Sequence, residues 1–541
     1  MVVSAALKSD LDSLCDYGWD MCDSWLKEKE KVADIKRWRW YYDCYGGRFW
    51  PDQDESEEVR AYINFVFAQA QLRVAVNIAQ KPTVNFLSNV ETDKAVQKIQ
   101  KGWDKTWELS KFNYRRMLIV KDSYITGTGV AKLLNSGDTT ELDVINPLQL
   151  LVSPGATEIE RAYGAAHVQN VHMYTAKELG SRWASHPDNE IQPNLDDIVP
   201  GVIRKLDDLD FIRGQRRGTK EKTVTLGSNA TRTYGAEISG GEGKIGASDL
   251  VTMIEVYFWE EGVVKLLVIA GVEPVYFGPA PIRNKLPFVL YRPFPDSASL
   301  WGLPFAQVFE SELDWTAKMT STLLEGVIDA STMVVLSPNN SDVDLQSMRN
   351  GRGMQLVTYT PGTQKPEALQ LSRVPGEAFQ ILPILSQFME SVTGRTDAMR
   401  GVNPSGVTSG DQLNMLVETA TSFLRPEIAA MEQGDEELAR IWADTAGYKD
   451  VVDNVQVEPG STAGFRKMRQ NQLLLEFAKG GLLGPARVAR KILFKAFQLE
   501  DMDKWVAEIE KAEKEDQSMM AQMGANKGGN GVPTSVPFGA V

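Results

Sequence analysis

The chain has 541 residues, with 58 Lys plus Arg against 72 Asp plus Glu and a formal net charge of −14. That length suits about three to four units of ~150 residues, and the apolar content is ample for their cores. The acidic balance opposes tight, sequence-independent wrapping of nucleic acid by the whole surface, while leaving local contact open.

The first residues lack the basic region and apolar core of a signal peptide, because Asp10 and Asp12 follow only a few apolar residues, so secretion is not expected. Cys15, Cys22 and Cys44 are an odd, clustered set rather than a disulfide framework, and they read as buried free thiols in a reducing compartment. Residues 4 to 40 read as helical, carrying Leu7, Leu11, Leu14, Trp25 and Val32. They end in an aromatic cluster of Trp38, Trp40, Tyr41, Tyr42, Tyr45, Phe49 and Trp50, punctuated by Gly46, Gly47 and Pro51. Such a cluster can stack bases, but beside a helix end it reads as core packing.

A second helical stretch runs from about Glu57 to Gln80 and stops at Pro82; a third runs from Asp93 through Tyr124 to Gly127 and Gly129. Short strands follow at Val130 to Leu134, Leu142 to Ile145 and Leu150 to Val152. More come at Val224 to Leu226, Thr252 to Trp259, Val263 to Ile269 and Phe288 to Tyr291, making the middle third an α+β domain. Residues 213 to 248, with Arg213, Arg216, Arg217, Lys220 and Lys222, read as a solvated surface loop rather than a phosphate site. The most apolar window, Val251 to Phe277, contains Glu255, Glu260, Glu261, Lys265 and Glu273, so no membrane span is expected.

Reactive constellations do not stand out. Gly241, Gly243 and Gly246 have dinucleotide-fingerprint spacing but lie in a loop that leads to a strand, not between a strand and a helix. Lys244 lacks the P-loop context, because residues 238 and 245 are both Ile. His167, His172 and His186 do not share a metal-binding spacing. Neither a cofactor nor catalysis is expected.

From Trp301 the pattern changes to a long amphipathic helix. At ~100° steps from Phe305, Val308, Phe309, Met319, Leu323 and Val327 fall on one side and Glu310, Asp314, Lys318, Glu325 and Asp329 on the other. Periodicity alone fits an ordinary surface helix on its own core. Glu312, however, points to the apolar side and needs a partner if buried, for which an intersubunit salt bridge is one hypothesis. A second helix, about Gly376 to Thr393, carries only Glu377 and Glu390 as charges and should be surrounded by protein; Pro383 marks its first turn or a kink. Between them, Met333 to Leu336 and Met354 to Tyr359 are strand-like around polar Asn339 to Asp344. Beyond lie a Gly-rich loop and a Pro-broken helix. Residues from about Gln517 read as a disordered tail.

In order along the chain, several segments resemble the portal proteins of tailed double-stranded-DNA bacteriophages, the head-to-tail connectors. They are Tyr45, Gly46, Gly47 and Trp50; Thr126 to Lys132; Asn146 to Glu160; Leu286 to Gly302; and GRTDAMRGVNPSGVTSGDQLNMLVE at Gly394 to Glu418. The resemblance implies an α+β ring subunit, usually in a dodecamer. The wing would be residues 1–300, the stem helices 301–329 and 375–395, and the clip 330–374. A tunnel loop at 396–410 would precede a kinked wing helix at 411–447, interrupted near Pro426. Residues 448–516 would form a C-terminal wing and crown, and 517–541 the tail.

As the resemblance implies, DNA is packaged and ejected through the ring at one capsid vertex of the virion, after assembly in the host cytoplasm. The implied partners are further copies of the chain, double-stranded DNA, the terminase large subunit, a head-tail adaptor, and the major capsid and scaffolding proteins. Asp397, Arg400, Asn403, Ser405, Thr408 and Ser409 would form the DNA-channel loop, although turn chemistry explains such residues equally well. Glu312, Asp314, Lys318, Glu325 and Asp329 would line the channel or a subunit contact. An acidic wall lowers friction on sliding DNA, since every neutralised phosphate adds binding that must be broken again. Arg487, Arg490, Lys491 and Lys495 belong to a basic crown segment ahead of the acidic Glu500 to Asp516. Pairing of the two segments between subunits is favoured over contact with DNA or scaffold. Two other readings remain open: another ring-forming connector or minor head protein, and a hydrolase with unrecognised carboxylates.

Overall fold

The computed structural model describes residues 11–50, 60–88, 93–136, 139–195, 198, 224–225, 233–234, 250–331, 334–336, 367–369, 378–393, 423–448 and 451–459. All lie in the first of two units, Met1–Thr462; the second, Ala463–Val541, falls outside the described residues. The fold is mixed helix and sheet, as its sequence pattern predicts.

Helix α1 (Leu11–Val32) places Leu14, Cys15, Trp19, Cys22, Trp25 and Leu26 on one buried stripe. Asp34 then accepts from the Arg37 amide at 3.0 Å and starts α2 (Ile35–Tyr45). The aromatic cluster packs as core: Trp38, Tyr41 and Phe49 are buried, and Phe49 stacks on Tyr62 with ring centres 5.1 Å apart. All three cysteines are buried and none forms a disulfide. Burial pushes the thiols of Cys22 and Cys44 up, out of the reactive range.

Asn64 caps α3 (Phe65–Asn77), which β1 (Val84–Leu87) follows. The helix read as continuous from Asp93 is two, α4 (Asp93–Leu109) and α5 (Phe112–Thr126), with Lys111 between them in a left-handed conformation at φ 49°. No Gly or Pro marks this break. The turn instead lets Trp107 and Phe112 meet edge to face at 4.7 Å, so both helices bury aromatic residues in one core.

Strands β2 (Gly129–Ser136) and β3 (Thr139–Ile145) are joined by β11 (Phe288–Tyr291) in an antiparallel sheet of order β11-β2-β3. A five-stranded antiparallel sheet contains β4 (Leu150–Val152), β5 (Gly164–His172), β8 (Leu250–Glu260), β9 (Val263–Ala270) and β10 (Glu273–Pro279), in the order β10-β9-β8-β5-β4. Helix α6 (Met173–Ala184) packs against it, and a short pair, β6 (Val224–Thr225) and β7 (Thr233–Tyr234), precedes β8. Leu266 through Ala270 are all fully buried, so both sheet faces are covered. Gly18 of α1 lies against Leu267 and Ile269 on one face. Glu255 and Tyr257, opposite Val268 and Leu266, belong to the other face, where Tyr257 meets Phe288 of the smaller sheet at 5.4 Å. Sequence reading missed β5, β10 and α6.

A buried polar cluster lies between the two sheets. Lys132 of β2 donates to Glu255, Tyr257 donates to Glu255 at 2.9 Å, and Lys132 Nζ is 3.5 Å from Nδ1 of His167, the cross-strand neighbour of Glu255. Burial, reinforced by the Lys132 charge, lowers the His167 pKa to about 3. Burial pushes the Glu255 carboxyl up, but Lys132, His167 and the Tyr257 hydroxyl outweigh it and leave it below its ordinary value.

The unfolded chain therefore binds a proton at residue 167 near pH 6.5, which the folded chain refuses until about pH 3. This contribution to stability is full above 6.5 and is lost as pH falls between those values, at up to about 1.4 kcal/mol per pH unit. Glu255 acts in the same direction at lower pH, whereas the raised carboxyls of Asp122 and Glu427 act oppositely. Urea titrations should show that slope between pH 6.5 and 4.5 flattening in His167→Gln; an unchanged slope would remove His167 from the account.

Candidate functional site

After β11 the chain turns at Gly302 and Pro304 through a 3-10 segment, Phe305–Phe309, into α7 (Glu310–Ser331). Its 22 residues rise about 33 Å. Strand β12 (Val334–Leu336) pairs antiparallel with β13 (Glu367–Leu369), and α8 (Ala378–Thr393) returns to pack against α7. A helix, a β element and a second helix thus follow each other as the sequence reading proposes. Residues 354–359, read there as the second strand, lie outside the described residues.

The buried stripe of this helical stretch is Phe309, Leu313, Thr316, Ala317 and Leu323. It differs from the stripe counted from Phe305: Phe309 and Leu323 are buried and Met319 half-buried, but Val308 and Val327 are exposed. Residues 305–309 advance about 120° each as a 3-10 segment, which shifts the phase of the wheel and turns Val308 outward, in line with Trp315. Val327 lies on the buried side of the wheel, but no part of the described chain covers that end of α7.

Glu312 is half-buried and accepts from the Ser311 hydroxyl at 3.0 Å, so the single chain holds no unpaired buried charge there. Asp314 and Lys318 form an exposed pair at 2.6 Å, and Glu325 is exposed. Asp329 belongs to α7, but its side chain is outside the described set, as are Asp397, Arg400, Asn403, Ser405, Thr408 and Ser409 of the loop and Arg487, Arg490, Lys491 and Lys495 further on.

Much of the apolar surface of the pair is exposed among the described residues. Val308 of the 3-10 segment and Trp315 (64% exposed), Leu324 and Val327 of α7 are exposed. On α8, Ile381, Ile384, Phe388 (59% exposed) and Val392 follow i, i+3, i+7, i+11 spacing along one face. Although α8 is apolar in most directions, the described chain buries only Met389 and Thr393 of its residues 380–393.

Buried charges that sequence reading missed anchor the base of the pair. Lys29, at the end of α1, donates to the carbonyl oxygens of Pro147 at 2.6 Å and Leu150 at 2.7 Å and lies 4.5 Å from the Trp301 ring centre. Burial holds its pKa well below the ordinary lysine value. Tyr41 of α2 donates to Glu310 at 2.7 Å. Gly127 and Gly302 meet backbone to backbone, and the Gly302 amide donates to Thr128 Oγ1 at 3.0 Å.

Two arginines bind α9 (Arg425–Thr445), which the Arg425-Pro426 turn opens. Arg73 of α3 donates from Nε to Glu427 at 3.1 Å, from Nη1 to Gln69 at 3.3 Å and from Nη2 to the Thr393 carbonyl at 2.7 Å, with its guanidinium 3.8 Å from the Phe305 ring centre. Tyr124 donates to the same Glu427 oxygen at 3.0 Å. Arg116 of α5 grips Asp435 by two nitrogens at 3.0 and 2.7 Å and donates to the Asn77 carbonyl, while Tyr291 donates to Asp435 at 3.0 Å. The only signal in the sequence is an Arg inside an otherwise apolar helical window, such as FVFAQAQLRVAV. After α9, residues 454–457, expected among C-terminal helices, form a strand, β14 (Asn454–Val457), paired antiparallel with β1.

Among the described residues no group of three or more His, Cys, Asp or Glu is arranged to hold a metal ion, and no helix is long and apolar enough to cross a membrane.

A family model described as the phage SU10 portal protein matches residues 48–430. Among solved structures, the neck of a native GTA particle, computed with C12 symmetry, is similar at 10% identity and a TM-score of 0.36, over 79% of this chain and 89% of that one. No curated protein matches the chain. The family match begins in the aromatic turn after α2, takes in both sheets and the α7/α8 pair, and ends inside α9. It spans well over half of the sequence, and the chain therefore belongs to the phage SU10 portal protein family.

Proposed function

We propose that the chain is one subunit of a closed, dodecameric ring at a single capsid vertex, through which double-stranded DNA enters the head during packaging and leaves at ejection. The observation that carries this reading is the pair of exposed apolar rows on the described residues of α7 and α8. Two different faces on one subunit, each covered by a neighbour, give a head-to-tail interface, and such an interface closes into a ring when its rotation permits.

In this reading α7 and α8 are the stem and residues 330–374 the clip, where the terminase large subunit docks before a head-tail adaptor replaces it. Capsid and scaffolding proteins surround the wing. The chain is a structural part: terminase supplies the force, and Asp314 and Glu325 give the stem an acidic surface. Residues 396–410 form the tunnel loop, where Asp397, Arg400, Asn403, Ser405, Thr408 and Ser409 make transient phosphate contacts. The basic segment with Arg487, Arg490, Lys491 and Lys495 pairs with the acidic Glu500 to Asp516 of a neighbour in the crown.

Negative-stain imaging with mass determination tests the ring. Closed rings with an axial hole wide enough for duplex DNA are expected, and a discrete monomer at high concentration would overturn the proposal. Trp315→Glu should disperse the rings with little change in monomer melting temperature, because that side chain is 64% exposed in the single chain. Shortening Gly401 to Gly410 should leave rings intact but impair filling or retention of DNA; normally filled particles would count against the loop assignment.

A further inference from the structure

The geometry points to Arg73 as the positioning residue that locks the end of the second stem helix, the start of α9 and the base of the first stem helix to one another; calling these elements stem rests on the proposal above. Thr393 is the last residue of α8, so its carbonyl is among the four that the helix leaves without an internal partner, at the negative end of the helix dipole. Glu427 stands in the first turn of α9, at the positive end of that helix. The Arg73 guanidinium lies between them, 1% exposed: it complements the α8 C-terminus directly and neutralises the Glu427 carboxylate that complements the α9 N-terminus, while its face covers Phe305.

Arginine alone suits the position. Its planar fork serves Glu427, Gln69 and Thr393 from three separate nitrogens, whereas a lysine ammonium is a point charge on a narrower head and cannot span them together. Helix α9 is held independently about two turns further on by the Arg116–Asp435 pair. Removing Arg73 therefore leaves α9 seated and releases the junction. Through this side chain, the flanks on either side of residues 394–424 keep a fixed spacing, and movement of the second stem helix is transmitted to α9.

Amide hydrogen exchange on the full-length chain carrying Arg73→Lys tests this, with native mass measured on the same sample. Exchange should quicken at least tenfold at residues 389–393 and 428–431 and stay unchanged at 438–445 and across the five-stranded sheet. Glu427→Gln, which keeps the shape of the site, should quicken 428–431 alone, because Arg73 still serves Thr393; it is the fallback measurement if Arg73→Lys does not fold. Unchanged protection at both flanks, or faster exchange spread over the sheet, would overturn the inference. The exchange pattern reports on the junction in a monomer or a ring, so failure of the ring proposal shows in the mass and not in this pattern.

Discussion

Gly127→Ala is expected to destabilise the folded chain by about 3–5 kcal/mol, enough to leave a domain of ordinary stability largely unfolded or insoluble at 37 °C. Two penalties coincide there. Gly127 closes α5 with φ +82°, a conformation that costs an L side chain roughly 1–2 kcal/mol. A Cβ on it would also overlap the backbone of Gly302 and Leu303, the segment that turns into α7. The Gly302 carbonyl cannot move aside cheaply, since the neighbouring amide is bound to Thr128. Gly155→Ala separates the two penalties: Gly155 has φ +77° with nothing within 4 Å of the added carbon, so it should cost only about 1 kcal/mol. Melting curves of the two variants and of Gly302→Ala, which suffers the overlap without the positive φ, give each contribution. If Gly127→Ala melts no lower than Gly155→Ala, close backbone approach is not what fixes the entry to α7.

Asp435→Ala should cost about 3–5 kcal/mol, because it strips the Arg116 guanidinium, 2% exposed, of its hydrogen-bonded counter-charge, leaving only the weaker pull of Glu432, and leaves the Tyr291 hydroxyl without its acceptor. Removing both charges should cost far less. In Arg116→Met/Asp435→Leu the two directly bonded charges leave together, and pairs replaced in this manner are often neutral. A double-mutant cycle by urea unfolding should therefore give a large coupling between the two positions. Costs that simply add would mean that the pair contributes packing volume rather than charge compensation.

Much of the architecture is present in local sequence. Strands β4 and β11 begin and end where alternation and turn residues place them, at Leu150–Val152 and Phe288–Tyr291. The aromatic cluster packs as core, and the α+β character follows from where helical spacing gives way to short β-rich runs. The apolar character of α8 is equally plain in its residues, and so is the need for something to cover it. These features are legible because each depends on residues a few positions apart: caps, turns and the faces of a single helix or strand.

What tertiary structure alone decided are contacts between residues far apart in the chain. Lys111 breaks a helical pattern without a local signal, because bringing Trp107 onto Phe112 in the shared core outweighs helix propensity. The true stripe of α7 depends on its 3-10 start, which does not enter a helical wheel. Arg73 and Glu427, 354 positions apart, and Arg116 and Asp435, 319 apart, read singly as ordinary surface charges. Only the fold brings each pair together away from water, where an ion must find its counter-charge or be neutralised, and so only the fold makes them structural.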